Sequence, residues 1–213
     1  MELVEAQTLG EAWLEVAGRI VERGDEASWG GETTREVTHL TVAVAEPDPE
    51  DAIIAELGDP DWLAWMHANF FDFAAVRELG NADSYATRLF DYEHSGKDQL
   101  AWVVQRLRDD PECRDATITT FQPHTDTSYI PCVSMLDFWL REGAVELVVY
   151  AHGLDFGKKA YGNLVELAAL QARVANELQA SSGRVVLHVK TAHVYEPELE
   201  LMRSLATPAT RRV

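Results

Sequence analysis

Cys132 closes the tetrapeptide Tyr129-Ile130-Pro131-Cys132, and Asp155, Asn163 and the alternating pair His193 and Tyr195 follow it through otherwise apolar sequence. These residue types suit covalent chemistry on a polar heterocycle. A thiolate attacks, a carboxylate moves protons, an amide reads the donor and acceptor pattern of a ring edge, and an imidazole and a phenol hold hydroxyls. Each also has a plain packing role. A free cysteine is among the most buried residue types. Asn163 opens a predicted helix and suits its N-cap, although the neighbouring Gly162 also allows a ligand to approach closely. Asp155, within Gly153-Leu154-Asp155-Phe156-Gly157, suits a turn. His193 and Tyr195 share one face of a strand, where a core residue with a satisfied polar end would also fit.

The elements that must position this set are readable from periodicity. Residues 9–23 place Trp13, Val16, Ala17, Ile20 and Val21 on one helical face, with Gly24 as the stop. Residues 36–45 are β-branched and read as a strand. Residues 61–73 are helical and aromatic-rich, and Trp62, Trp65, Phe70, Phe71 and Phe73 form either core or the wall of a flat-ligand pocket. A helix over 98–108 precedes strands at 116–121, 133–140 and 145–151, the last two joined as a hairpin through residues 141–144. A long helix over 163–178 and a buried strand over 184–193 complete the pattern, and the tail at 206–213 reads as loose. The order predicts one α+β domain over 1–213, a mixed, mainly antiparallel sheet packed with helices.

Composition narrows the partners. The chain has 213 residues, 46% of them hydrophobic, enough for a substantial core. A formal net charge of −18 argues against nucleic acid. Neither a basic, apolar leader nor a run of about 18 apolar residues occurs, so a cytoplasmic protein without a membrane segment is expected. In a reducing compartment Cys113 and Cys132 are expected as free thiols, and no spacing points to a metal. Lys158-Lys159 reads as a solvated pair, with contact to an anionic ligand as the alternative in so acidic a chain.

From Asp98 to about Met202 the chain resembles the thymidylate synthase and pyrimidine-nucleotide hydroxymethylase family. Asp110-Pro111-Glu112-Cys113-Arg114 is similar to the family's Asp-Pro-x-Ser-Arg turn, Pro131-Cys132 to its nucleophile motif, Asp155 and Asn163 to the acid and amide that follow, and His193-Val194-Tyr195 to its His-x-Tyr. The intervals from Cys132 to Asp155, from Asp155 to Asn163 and from Asn163 to His193 match the family's without insertion or deletion. Ser84-Tyr85-Ala86-Thr87-Arg88 is similar to a tyrosine-containing segment near the nucleophile. The resemblance implies a homodimeric enzyme whose cysteine adds to C6 of a pyrimidine-like substrate, making C5 nucleophilic toward a one-carbon unit from 5,10-methylenetetrahydrofolate. Cys132, Asp155 and Tyr85 would then be catalytic. Asn163, His193, Tyr195, Arg114 and His152 would bind substrate, and Asp155, Trp62 and Trp65 would face the cofactor, with no metal.

The departures from the family pattern concern anions and folate. The Arg-Ser pair expected before the acid falls on His152-Gly153, and the arginine pair expected from a partner subunit falls on Arg114-Asp115. Arg35 is the nearest candidate for the amino-terminal arginine. A charge-assisted hydrogen bond contributes about 1.5–3 kcal/mol, so losing several disfavours a 5′-monophosphate. A proton-relay glutamate has only Glu56 and Glu78 as counterparts. The chain also ends soon after His-x-Tyr, where the family continues into a segment closing over folate, so hydroxymethylation is expected over reductive methylation. The alternatives are a repurposed, non-catalytic ligand-binding homologue and a folate-independent cysteine enzyme on the same fold.

Overall fold

The computed structural model describes residues 2–127 and 129–206. The chain opens with β1 (Glu2–Ala6), α1 (Leu9–Arg23), β2 (Asp25–Trp29) and β3 (Glu32–Val44). Next come α2 (Ala52–Leu57), α3 (Pro60–Phe71), the short strands β4 (Ala75–Val76) and β5 (Ala82–Asp83), α4 (Tyr85–Phe90) and α5 (Gln99–Asp109). β6 (Ala116–Thr119), β7 (Val133–Arg141), β8 (Ala144–Ala151), β9 (Leu154–Asp155), α6 (Ala160–Leu178), β10 (Ser181–Tyr195) and α7 (Leu199–Leu205) follow.

Among the described residues an 8-stranded sheet runs β1-β3-β10-β8-β7-β6, with β2 added to β3 and β9 to β10. The β3–β10, β2–β3, β6–β7 and β7–β8 pairs are antiparallel, and β1–β3, β8–β10 and β9–β10 are parallel. The architecture is therefore the mixed, mainly antiparallel α+β fold expected.

Alternation creates the two sheet faces. Val145, Leu147, Val149 and Ala151 of β8 are buried, as are Val185, Leu187 and Val189 of β10. Against this face lie α1, α5 and α6. A capping box between Thr8 and Glu11 starts α1. Its Trp13 is 1% exposed and donates Nε1 to the Phe156 carbonyl at 2.9 Å, tying the helix to the loop after Asp155. Burying a side chain of this size contributes on the order of 1.5–3 kcal/mol. The other face carries a row of paired residues across five strands, Leu3, Thr41, His188, Tyr150 and Met135. Leu3, Tyr150 and Met135 remain exposed there.

Several boundaries differ from the sequence expectation. β3 starts at Glu32 rather than residue 36, because its polar first turn of chain is paired with β2. β10 runs from Ser181 to Tyr195, longer at both ends than 184–193. β1, β2, β4, β5 and β9 add to the strands expected from sequence. α6 begins at Ala160, so Asn163 does not cap it; its backbone N–H already bonds to the Lys159 carbonyl at 3.0 Å. Gly162 sits inside this helix because a Cβ there would come 2.9 Å from Met66 Cβ. Of the tail expected to be loose, residues 207–213 lie outside the described residues.

Candidate active site

Cys132 lies immediately before β7, and both peptide groups around it are fixed. Its carbonyl accepts the His152 amide at 3.0 Å, and the following Val133 amide donates to the Tyr85 hydroxyl at 3.0 Å. Tyr85 is set in turn by α4. Ser84 caps that helix, Asn69 Oδ1 accepts the Tyr85 amide at 3.0 Å, and the phenol stacks on Phe70 with ring centres 4.4 Å apart.

The segment leading to Cys132 is anchored by a buried ion pair that sequence reading missed. Arg88, 2% exposed, binds Asp126 at 2.8 and 2.7 Å and donates to the Thr120 carbonyl at 2.8 Å and the Asp83 carbonyl at 3.0 Å. The bidentate fork and the two carbonyls occupy the guanidinium, so this arginine is structural. Tyr129, three positions before the thiol, is a second omission; burial pushes its phenol well above the usual tyrosine range.

Asp155 reaches the same end of the sheet because β9 pairs with β10 at His193. Asp155 Oδ1 accepts the amides of Gly157 at 2.9 Å and Lys158 at 3.3 Å, while Oδ2 makes no hydrogen bond among the described residues. Burial raises the Asp155 carboxyl above the usual carboxylate range, against the lowering influence of His193, the two amides and Lys159. Burial likewise lowers the His193 imidazole, although Asp155 and Glu36 favour its charged form. Tyr195 follows on the same strand face, its ring 5.2 Å from His193 at 90°; burial, then Asp155, raises its phenol.

Asn163 is 4% exposed and turns Nδ2 to Met66 Sδ at 3.3 Å, so its side chain belongs to the contact between α6 and α3 as it stands. Trp62 and Trp65, on α3, are half-buried with ring centres 5.8 Å apart, and Lys159 Nζ lies over both. Both indoles pack against the core as partly buried side chains. His152 is half-buried, and burial with Lys190 nearby lowers its imidazole, leaving it a neutral group where an arginine was sought.

Arg114 is not brought to this cluster. It is exposed and precedes β6, whose Ala116 pairs with Phe138 of β7. At roughly 3.3 Å per residue, the stretch from Cys132 to Phe138 alone spans roughly 20 Å. Asp115 beside it pairs with Arg106 at 2.8 Å.

Burial pushes the Cys132 thiol up, and Asp155 adds to this; Lys159 and Tyr129 act against it. The lowered thiol expected of an activated nucleophile is therefore absent from the free chain: desolvation outweighs the favourable groups. Cys113 is also free but is core, 5% exposed. A half-buried thiol, a buried acid with one unoccupied oxygen, an imidazole and a phenol gathered at one end of the sheet are the groups that covalent or proton-transfer chemistry on a small polar ring would use.

Comparison with known proteins gives that class a family. The thymidylate synthase family model matches residues 49–212, and the chain belongs to this family. Over most of its length it is similar to archaeal proteins provisionally named thymidylate synthases. The protein from Methanothermobacter marburgensis is 28% identical over 209 residues, covering 91% of this chain and 92% of the relative. That from Methanosarcina barkeri is 25% identical over 214 residues, covering 95% and 94%. A bifunctional dihydrofolate reductase-thymidylate synthase from Paramecium tetraurelia is 25% identical over 115 residues, 53% of this chain and 25% of that protein. The family consists of one-carbon transferases that act on pyrimidines, use methylenetetrahydrofolate and are typically dimeric. Among the described residues no helix is long and apolar enough to cross a membrane.

Proposed function

We propose that this chain is a single-domain C5 one-carbon transferase, producing a methyl or hydroxymethyl group on a pyrimidine or related ring through a Cys132 adduct. The observation that carries this reading is the convergence of Cys132, Tyr85, Asp155, His193 and Tyr195 from separate elements on one end of the sheet. The Cys132 thiolate forms the bond to C6, the C5–C6 double bond opens, and the electron pair moves onto C5 and the adjoining carbonyl. C5 then bonds to a one-carbon electrophile, the C5 proton leaves to a base, and elimination of the thiolate restores the C5–C6 double bond and Cys132; a hydroxymethyl product takes its oxygen from water, and a methyl product would take a hydride from the folate carrier. Asp155, with its raised proton affinity, handles protons or bonds to a pterin N–H through Oδ2. Asn163 reads the ring edge after turning from Met66, and His193 and Tyr195 hold a sugar hydroxyl.

The residues fit methylenetetrahydrofolate: the indoles of Trp62 and Trp65 supply an aromatic wall and Asp155 a polar anchor. When bound, that cofactor supplies the one-carbon unit. A substrate without a 5′-phosphate is favoured, because His152 is held neutral where an arginine is expected and the partner-subunit arginine pair is reduced to Arg114, followed by Asp115. The exposed row from Leu3 to Met135 favours a homodimer formed through the sheet. A second reading, folate-independent cysteine chemistry or ligand binding without turnover, rests on Lys159 covering the indoles and on burial keeping the thiol protonated.

The test is tritium release from C5-labelled pyrimidine nucleosides and nucleotides, with and without methylenetetrahydrofolate. Wild type is expected to release tritium and Cys132→Ala to fall to background. The absence of Cys132-dependent release from every pyrimidine would remove the proposal.

A further inference from the structure

Glu166 is a carboxylate among the buried, mostly apolar residues of α6, with only 5% of its side chain exposed. Its Oε1 lies 3.2 Å from His67 Nδ1, and its Oε2 makes no hydrogen bond among the described residues. The imidazole that partners it stands largely in solvent, 66% exposed. A carboxylate withdrawn so far from water needs further partners to offset its desolvation. It lines a groove of about 340 Å³ between α2, α3 and α6, whose walls are made apolar by Ile54 and Ala55, Leu63 and Ala64, and Val165. That volume falls at the lower end of the roughly 300–1,000 Å³ of small-molecule sites. The groove is separate from the candidate active site. Leu63, Ala64 and His67 share one face of α3, and Trp62, Trp65 and Met66 share the opposite one.

We propose that this groove is a second binding site, for a small amine with an apolar body, whose ammonium donates to Glu166 Oε2 while the body lies against the aliphatic walls. The charges of the groove select that class. Glu50, Asp51 and Glu166 are its acids, and no lysine or arginine lines it among the described residues. Asp51 is already committed, its two oxygens accepting the amides of Ile54 and Gly10 at 2.9 Å each, and Glu50 stands exposed at the edge. Glu166 is thus the buried acid left with a free oxygen. An anion would meet three carboxylates here, and a neutral apolar molecule would leave Oε2 desolvated and unpaired. His67 packs on Phe71 with ring centres 4.7 Å apart and holds the carboxylate by its other oxygen, which makes it a positioning residue. The site does not depend on the chemistry proposed for Cys132.

Titration calorimetry of the full chain with benzylamine, benzyl alcohol and benzoate tests this, because the three probes share a ring and differ in the charge of the head group. Benzylamine is expected to bind saturably at one site per chain, and the other two at least about tenfold more weakly. Glu166→Gln keeps the shape of the side chain and should weaken benzylamine by about tenfold. Ala55→Trp fills the groove from an exposed position on its wall and should abolish binding with Glu166 still in place. Glu22→Gln removes an equal charge from the exposed side of α1 and should change nothing. Equal affinity for the three probes, or no saturable benzylamine binding at millimolar concentration, would overturn the proposal. So would titrations of Glu166→Gln and Ala55→Trp that superimpose on wild type. An equal loss in Glu22→Gln and Glu166→Gln would also overturn it, since binding would then be only the general attraction of a cation to a chain of net charge −18.

Discussion

At one end of the sheet, Cys132, Asp155, His193 and Tyr195 are held by backbone pairings and by side chains that are themselves buried; at the other, Arg114 and Asp115 stand in solvent. The first end places charged and polar groups where desolvation is severe, and the chain compensates with fixed partners: the Tyr85 hydroxyl, the amides of Gly157 and Lys158, and the Arg88–Asp126 pair. The second end has little desolvation to offset. Asp115 forms a solvent-screened surface pair with Arg106, of a kind that adds little to stability, and Arg114 has no ion pair among the described residues. The difference separates what this chain positions by itself from what it leaves available to something else.

The largest effect should come from breaking the anchor of the thiol end. Asp126→Asn leaves the Arg88 guanidinium buried without its anion, and loss of one partner from such a pair costs about 3–5 kcal/mol. Denaturant unfolding should show a midpoint lowered accordingly; a loss below about 1 kcal/mol would mean that the segment before Cys132 is held by other contacts. A smaller effect is expected for Tyr85→Phe. Stacking on Phe70 is kept, but the buried Val133 amide loses its acceptor, at a cost of about 1–3 kcal/mol. Unchanged unfolding in this variant would show that the amide finds another partner and that Tyr85 does not set the position of Cys132.

Sequence reading reached different depths at the two ends. The hairpin of β7 and β8 was legible because its signals are local: alternating apolar residues and a turn whose Glu142 and Gly143 take φ of 53° and 81°. Cys132, Asp155, His193 and Tyr195 were readable as a set only through the resemblance of their motifs to the family's. Their support was not. The Arg88–Asp126 pair joins residues far apart in sequence, and β9 is a two-residue strand whose pairing depends on where β10 lies. Asn163 was placed at a helix start and Gly162 read as room for a ligand, whereas the helix begins at Ala160 and Met66 requires a residue without a side chain at Gly162. Lys158-Lys159 looked like one solvated pair because sequence does not show where a long side chain is directed; Glu198 takes one and the indoles the other.

The smallest effect belongs to the exposed end, and it decides whether the contrast survives assembly. Arg114→Ala removes a side chain with no ion pair among the described residues, so unfolding should stay within about 0.5 kcal/mol of wild type. The separation along β7 is too great for Arg114 to influence the thiol of its own chain, so alkylation of Cys132 should keep its wild-type pH profile. If the substrate lacks a 5′-phosphate, KM for the nucleoside should also be unchanged. A several-fold rise in KM for a 5′-monophosphate, with none for the nucleoside, would contradict this. It would mean that a second copy brings its arginine to the cluster, and that the two ends form one site across a dimer. The mechanism would then require a phosphate that the residues around Cys132 do not hold by themselves.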